Sequence, residues 1–241
     1  MTLIGKIKSN WDLYAILGIF IFIVSMFITA QGFWHDEIHT LAFIRGIGVY
    51  PFEGSDFSFI TKYESISWFK DLLETDDFYK NFYRNIIHEG HPPLYYLLLK
   101  IWTCVFGFNE LGLRSFSLFT SVLSIFFFSL IVKLITGKKN NIYTLLLAVA
   151  PFFIFYSIEA RSYSLYFLFA SITVYYFMKE LLHPREDLRN SILFSFFVLL
   201  LIYTHYYGVF IYSILAMSLG VTYRKKKMYN KMPLLLAPIV L

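Results

Sequence analysis

The chain has a single cysteine, Cys104, in 241 residues. That excludes an internal disulfide and a cysteine-based zinc cluster, and it leaves the redox compartment unmarked. Charge is also scarce: Asp, Glu, Lys and Arg make up 15% of the chain, against roughly 25% in an ordinary soluble domain. Hydrophobic residues supply 58% and the mean hydropathy is +0.60, so water is not the main solvent. The net charge of +5 and pI near 9.1 raise the question of nucleic acid. The basic residues, however, fall in short clusters between apolar runs and line no continuous polar face. They read as topology signals, with no nucleic-acid partner. Internal repeats and low-complexity linkers are lacking too, so residues 1–241 read as one domain.

What is present is a series of apolar runs. A helix needs roughly 17 to 25 residues to cross ~30 Å of hydrocarbon. Runs near 13–31, 115–136, 141–158, 163–181, 190–206 and 207–223 meet that length. The first is too long for a signal-peptide core and has no small-residue cleavage site, so it is expected to be retained. A seventh begins at Pro233 and reaches Leu241. The expectation is an all-α polytopic membrane helix bundle of about six complete spans and a truncated seventh, the N-terminal module of a larger fold.

The run 91–107 is shorter, its apolar part covering 94–106, or ~20 Å as helix. If it does not cross, Lys133, Lys138, Lys139, Lys179, Arg185, Arg189 and the Arg224–Lys227 cluster all lie inside with Lys6 and Lys8. If it crosses, every one of them after Lys8 moves outside, against the positive-inside rule. It is therefore expected to lie in the interface, with Tyr95, Tyr96 and Trp102 at headgroup depth. Residues 32–113 then form one large extracytoplasmic loop that holds most of the acidic residues. Aromatic residues between 53 and 83 are spaced as in amphipathic helices lying on the membrane.

This topology gathers four polar constellations on one side. They are Trp34-His35-Asp36-Glu37, His88-Glu89-Gly90-His91-Pro92-Pro93, Glu159-Ala160-Arg161-Ser162-Tyr163, and Thr204-His205-Tyr206-Tyr207. Asp36 and Glu37 can serve as a general base, bind a metal, or cap and solvate a helix end. Glu89, His91 and His205 could ligate a divalent metal, although three residues so far apart are weak evidence, and histidines at an interface are commonly plain hydrogen-bonding residues. Arg161 is either the ion-pair partner of Glu159 or a planar fork offered to a phosphate, and Arg114 invites the same two readings. A transporter would put ionisable groups near the midplane on broken helices. Here the span centres are nearly free of charge, which favours an interfacial enzyme over a transporter or a non-catalytic scaffold.

The ordered set Trp34-x-Asp36-Glu37, His91-Pro92-Pro93-Leu94-Tyr95-Tyr96, Glu110-x-x-x-Arg114, Glu159-Ala160-Arg161-x-Tyr163 and Thr204-His205-Tyr206-Tyr207 resembles membrane glycosyltransferases of the GT-C type. Within these it is similar to the family 39 group, which includes protein O-mannosyltransferases and the lipid A aminoarabinose transferase. The resemblance covers nearly the whole chain. It implies an integral protein of a bacterial or archaeal plasma membrane, with a large first outer loop carrying juxtamembrane helices and a site facing outside. It implies sugar transfer from a polyprenyl-phosphate donor to a glycan, lipid or protein hydroxyl acceptor, with a divalent metal left open. Asp36 would be the catalytic base with Glu37 beside it, and Arg161, Arg114 and Tyr163 would lie near the donor phosphate. Glu159, His91 and His205 would be further site residues. The competing readings are a non-catalytic polyprenyl-phosphate-binding protein, a transporter, and an inactive fragment.

Overall fold

The computed structural model describes residues 10–30, 32–33, 35–46, 77–137, 141–182 and 188–240. Most of the expected juxtamembrane stretch, 47–76, lies outside the described residues, as does Trp34. Among those described the protein is all-α. In chain order the helices are α1 (Trp11–Phe27), α2 (His35–Arg45), α3 (Phe78–Glu89), α4 (Leu94–Phe106), α5 (Glu110–Thr136), α6 (Asn141–Ala148), α7 (Pro151–Ser157), α8 (Tyr163–Leu182), α9 (Arg189–Thr204), α10 (Gly208–Lys225) and α11 (Met232–Val240).

Helices α5 and α8 are both long and apolar enough to cross a membrane. At 27 and 20 residues they reach ~40 Å and ~30 Å. Helices α1, α4 and α9 are apolar but shorter. Large apolar side chains point away from the protein along several helices: Phe22, Phe152, Phe210 and Met217 are each at least 65% exposed. Such surfaces suit hydrocarbon and would be a liability in water.

The expected span 141–158 is two helices, α6 and α7, broken before Pro151. Proline lacks an N–H and disfavours helix in the residue before it, so it opens a helix and cannot continue one. Helix α5 is the central post, packing on α1, α4, α6, α7 and α8, while α8 lies against both α5 and α9. Small polar residues on α5 permit this closeness. Ser117, Thr120, Ser121 and Ser124 are all buried, and Ser157 of α7 shares a 2.8 Å hydrogen bond with Ser121.

The corner between α4 and α5 is built on two glycines. Gly107 has φ +86°, a backbone region suited to glycine, and Gly112 lies so close that a Cβ there would meet the Gly107 carbonyl oxygen at 2.1 Å. Asn109 closes the turn by accepting the Gly112 N–H at 2.8 Å.

Helix α4 corrects one expectation. Tyr95 and Tyr96 do not face lipid headgroups: both are buried, Tyr96 stacked on Phe43 of α2 at 3.8 Å between ring centroids and Tyr95 against Phe116 of α5. The Trp102 indole N–H donates to Ser115 on α5 at 3.0 Å. Apolar and aromatic surface on one stripe of a short helix is buried better against three neighbouring helices than in the interface. At the opposite end of α8, Glu180 and Lys231 form a fully buried ion pair, with Lys231 beside the ring of Tyr223.

Candidate active site

Helix α2 begins at His35, which puts Asp36 and Glu37 in its first turn, where the helix dipole favours carboxylates. Successive residues on a helix point ~100° apart, so the two carboxylates part company. Glu37 turns inward. It accepts Arg114 Nε at 2.9 Å and Nη2 at 2.6 Å, and its Oε1 also accepts the Ala160 backbone N–H at 2.8 Å. Arg114 spends further N–H groups on the Ile28 carbonyl (2.8 Å) and the Gly32 carbonyl (3.1 Å). One buried bidentate pair thus ties together the end of α1, α2, α5 and the loop before α8.

Asp36 faces the other way, its side chain 39% exposed. Of the two readings left open for Arg161, the ion pair the structure gives is with Asp36, not with Glu159. Arg161 Nη1 donates to the Asp36 carbonyl at 3.1 Å and to Thr40 at 3.5 Å, and Nη2 stands 4.0 Å from Asp36 Oδ2. Arg161 Nε is buried without a hydrogen-bond partner among the described residues. The two arginines therefore differ: Arg114 is spent on protein acceptors, while Arg161 holds its fork loosely beside an accessible carboxylate.

Glu159 sits behind this pair. Its backbone carbonyl accepts the Ser117 hydroxyl, which fixes the loop on α5. The residue is 5% exposed, and neither carboxylate oxygen has a hydrogen-bond partner among the described residues. Burial, and then the nearby Glu37, push its carboxyl up to about 7, opposed by Arg161. A cavity of about 150 Å³ lies between Glu37, Arg114 and Glu159 on one side and Phe27, Phe155 and Ile158 on the other.

The second and fourth constellations meet at the same end. The His205 ring lies 6.3 Å from that of His91, 6.0 Å from Tyr163 and 4.7 Å from Tyr207, between centroids. Burial, then His91 and Arg161, hold the His205 imidazole below its ordinary range. The Glu89 side chain lies outside the described ones. His91 and His205 belong to no group of three or more candidate metal ligands among the described residues.

Sequence reasoning missed Thr40, the Ala160 N–H and Tyr95. The Tyr95 hydroxyl is buried with no partner among the described residues, and its environment includes Arg161, Glu37 and Glu159. The pattern His-Pro-Pro-Leu-Tyr-Tyr carried a signal for Tyr95, since both tyrosines fall on the inward stripe with Leu99 and Thr103.

A solved structure similar to this chain was not found. An uncharacterized protein of Aquifex aeolicus (strain VF5) is 34% identical over 90 residues, a stretch that covers 36% of this chain and 17% of that protein. Residues 90–241, which include α4 through α11 and carry Arg114, Glu159, Arg161 and His205, match the family described as dolichyl-phosphate-mannose-protein mannosyltransferase. With well over half of its length matched, the chain belongs to that family.

Proposed function

We propose that this chain is the catalytic-site module of a membrane glycosyltransferase that moves a sugar from a polyprenyl-phosphate carrier to a hydroxyl acceptor. Six spans hold the site at the extracytoplasmic face, and α4 packs against α2, α5 and α9 without crossing. Asp36 takes the proton of the acceptor hydroxyl as that oxygen bonds to the anomeric carbon. The bond from that carbon to the phosphate oxygen breaks, the phosphate departs with the electron pair, and the sugar is inverted. The leaving phosphate already carries charge, so positioning and charge stabilisation are the protein's main tasks.

The observation that supports this reading best is the pairing of a half-exposed Asp36 with an incompletely satisfied Arg161. Arg161 takes the phosphate, with Tyr163 beside it. Arg114 and Glu37 act on the site indirectly: their mutual lock holds the first turn of α2 against the loop that carries Arg161. His91 and His205 line the mouth of the site.

The test replaces the planar fork and keeps the charge. In membranes supplied with labelled polyprenyl-phosphate mannose, Arg161→Lys is expected to weaken donor binding and lower transfer by at least tenfold. Equal donor binding by lysine and arginine would remove Arg161 from the phosphate.

A further inference from the structure

Glu159 is a buried carboxyl for which the mechanism above has no use. Burying a polar group without a hydrogen bond is costly, and burying it charged costs more. Yet among the described residues both of its oxygens lie in that state at the edge of a cavity of about 150 Å³, with room for a few waters, while the nearby Arg114 and Arg161 donate to other groups. The charged and titratable groups around it are Asp36 and Glu37 from α2, Arg114 from α5, Arg161 from its own loop and Tyr95 from α4. Glu37 and Arg114 cancel, and Asp36 and Arg161 face each other. A neutral Glu159 leaves this set balanced, and an ionised Glu159 makes it negative by one charge.

We propose that Glu159 sets how tightly the site holds an anionic donor: as a neutral acid it leaves Arg161 available to the phosphate, and as a carboxylate it repels the phosphate and competes for Arg161. This rests on the reading of Arg161 as the phosphate ligand. Glu159 is a positioning residue here, since it acts through Arg161 and through the field of the cavity. Burial pushes its carboxyl up to about 7, so the change falls near neutral pH. The sign follows: the favourable neutral form is populated below that value, and donor affinity is lost as pH rises through it.

The experiment is equilibrium binding of labelled polyprenyl-phosphate mannose to the whole chain in detergent micelles, from about pH 5.5 to 8.5. The donor is a phosphodiester and keeps its charge throughout. The expected result is an affinity that falls about tenfold across the range, as one charge brought near an anion at intermediate dielectric would give. Glu159→Gln is expected to abolish the step and keep the low-pH affinity at every pH. Proton uptake on donor binding, measured in weak buffer near pH 7.5, needs no variant: uptake is expected, and its absence would contradict the proposal. A step that survives in Glu159→Gln would assign it to another group, His205 first, and overturn the inference. Binding independent of pH overturns this inference alone, whereas no binding at any pH overturns the donor reading and this inference with it.

Discussion

Changing Glu37 to Gln isolates the buried lock from the chemistry. The side chains of Glu37 and Arg114 are 1% and 5% exposed, and Glu37 accepts hydrogen bonds from Nε and Nη2 of the guanidinium and from the Ala160 N–H. Glutamine keeps the size and one acceptor oxygen, which can still take the Ala160 N–H. It removes the charge that balances Arg114, and it turns an NH₂ group toward a guanidinium that only donates. Breaking a buried pair by removing one partner costs about 3–5 kcal/mol, because the remaining ion is left uncompensated. For a chain of this length each kcal/mol corresponds to about 2–4 °C in Tm, so the shift amounts to roughly 6–20 °C. Thermal unfolding of detergent-purified protein, followed by size-exclusion fluorescence, reads this directly. The double variant Glu37→Gln with Arg114→Met is expected to recover part of the loss, since it removes the orphaned charge. A Tm within 2 °C of the parent for Glu37→Gln would refute the reasoning and free Glu37 to be a base.

The second buried pair should behave alike at the other end of the bundle: Lys231→Met, which strands Glu180 among α8, α10 and α11, is expected to lower Tm by a similar amount without altering donor affinity, and an unchanged Tm would show that the pair contributes nothing. Orientation is read by labelling after Cys104 is replaced by serine. A cysteine at Tyr206, which is 56% exposed beside the site, is expected to react with an impermeant reagent from outside, and one at Asn230 only after the membrane is opened; the reverse would place the site inside. In Arg161→Lys the loss is expected in donor binding, with Tm within about 3 °C of the parent, because its contacts to Asp36 and Thr40 are long and partly exposed.

Helix positions were legible from the sequence because apolar length reports on lipid thickness, and α1, α5, α8, α9 and α10 lie close to the expected runs. The break at Pro151 was not read from the sequence: 141–158 is one run by hydropathy, and the helix start that the proline's missing N–H marks was passed over. The meeting of Asp36, Arg161, His91 and His205 at one end followed from the alternation of loops. Their pairing did not. Glu159 and Arg161 are two residues apart and suggested an ion pair, but the loop between α7 and α8 turns the first into the cavity and the second toward α2. The true partner of Arg114 lies 77 residues away on α2, a contact fixed by tertiary packing. The inward turn of Tyr95 and Tyr96 was hidden for a related reason: a tyrosine suits a membrane interface and a helix bundle interior equally well, and only the neighbours Phe43 and Phe116 decide.

The role proposed for Asp36 is to remove the proton of the acceptor hydroxyl. Asparagine at this position keeps the shape and leaves the backbone carbonyl contact to Arg161 in place, but it cannot accept the proton. Transfer from labelled polyprenyl-phosphate mannose, measured in membranes with expression and donor binding matched between variants, is expected to fall by a factor of about 10² to 10⁴ in Asp36→Asn. Donor binding should change little. Turnover close to that of the parent would contradict the assignment and leave Asp36 as a carboxylate that merely caps α2.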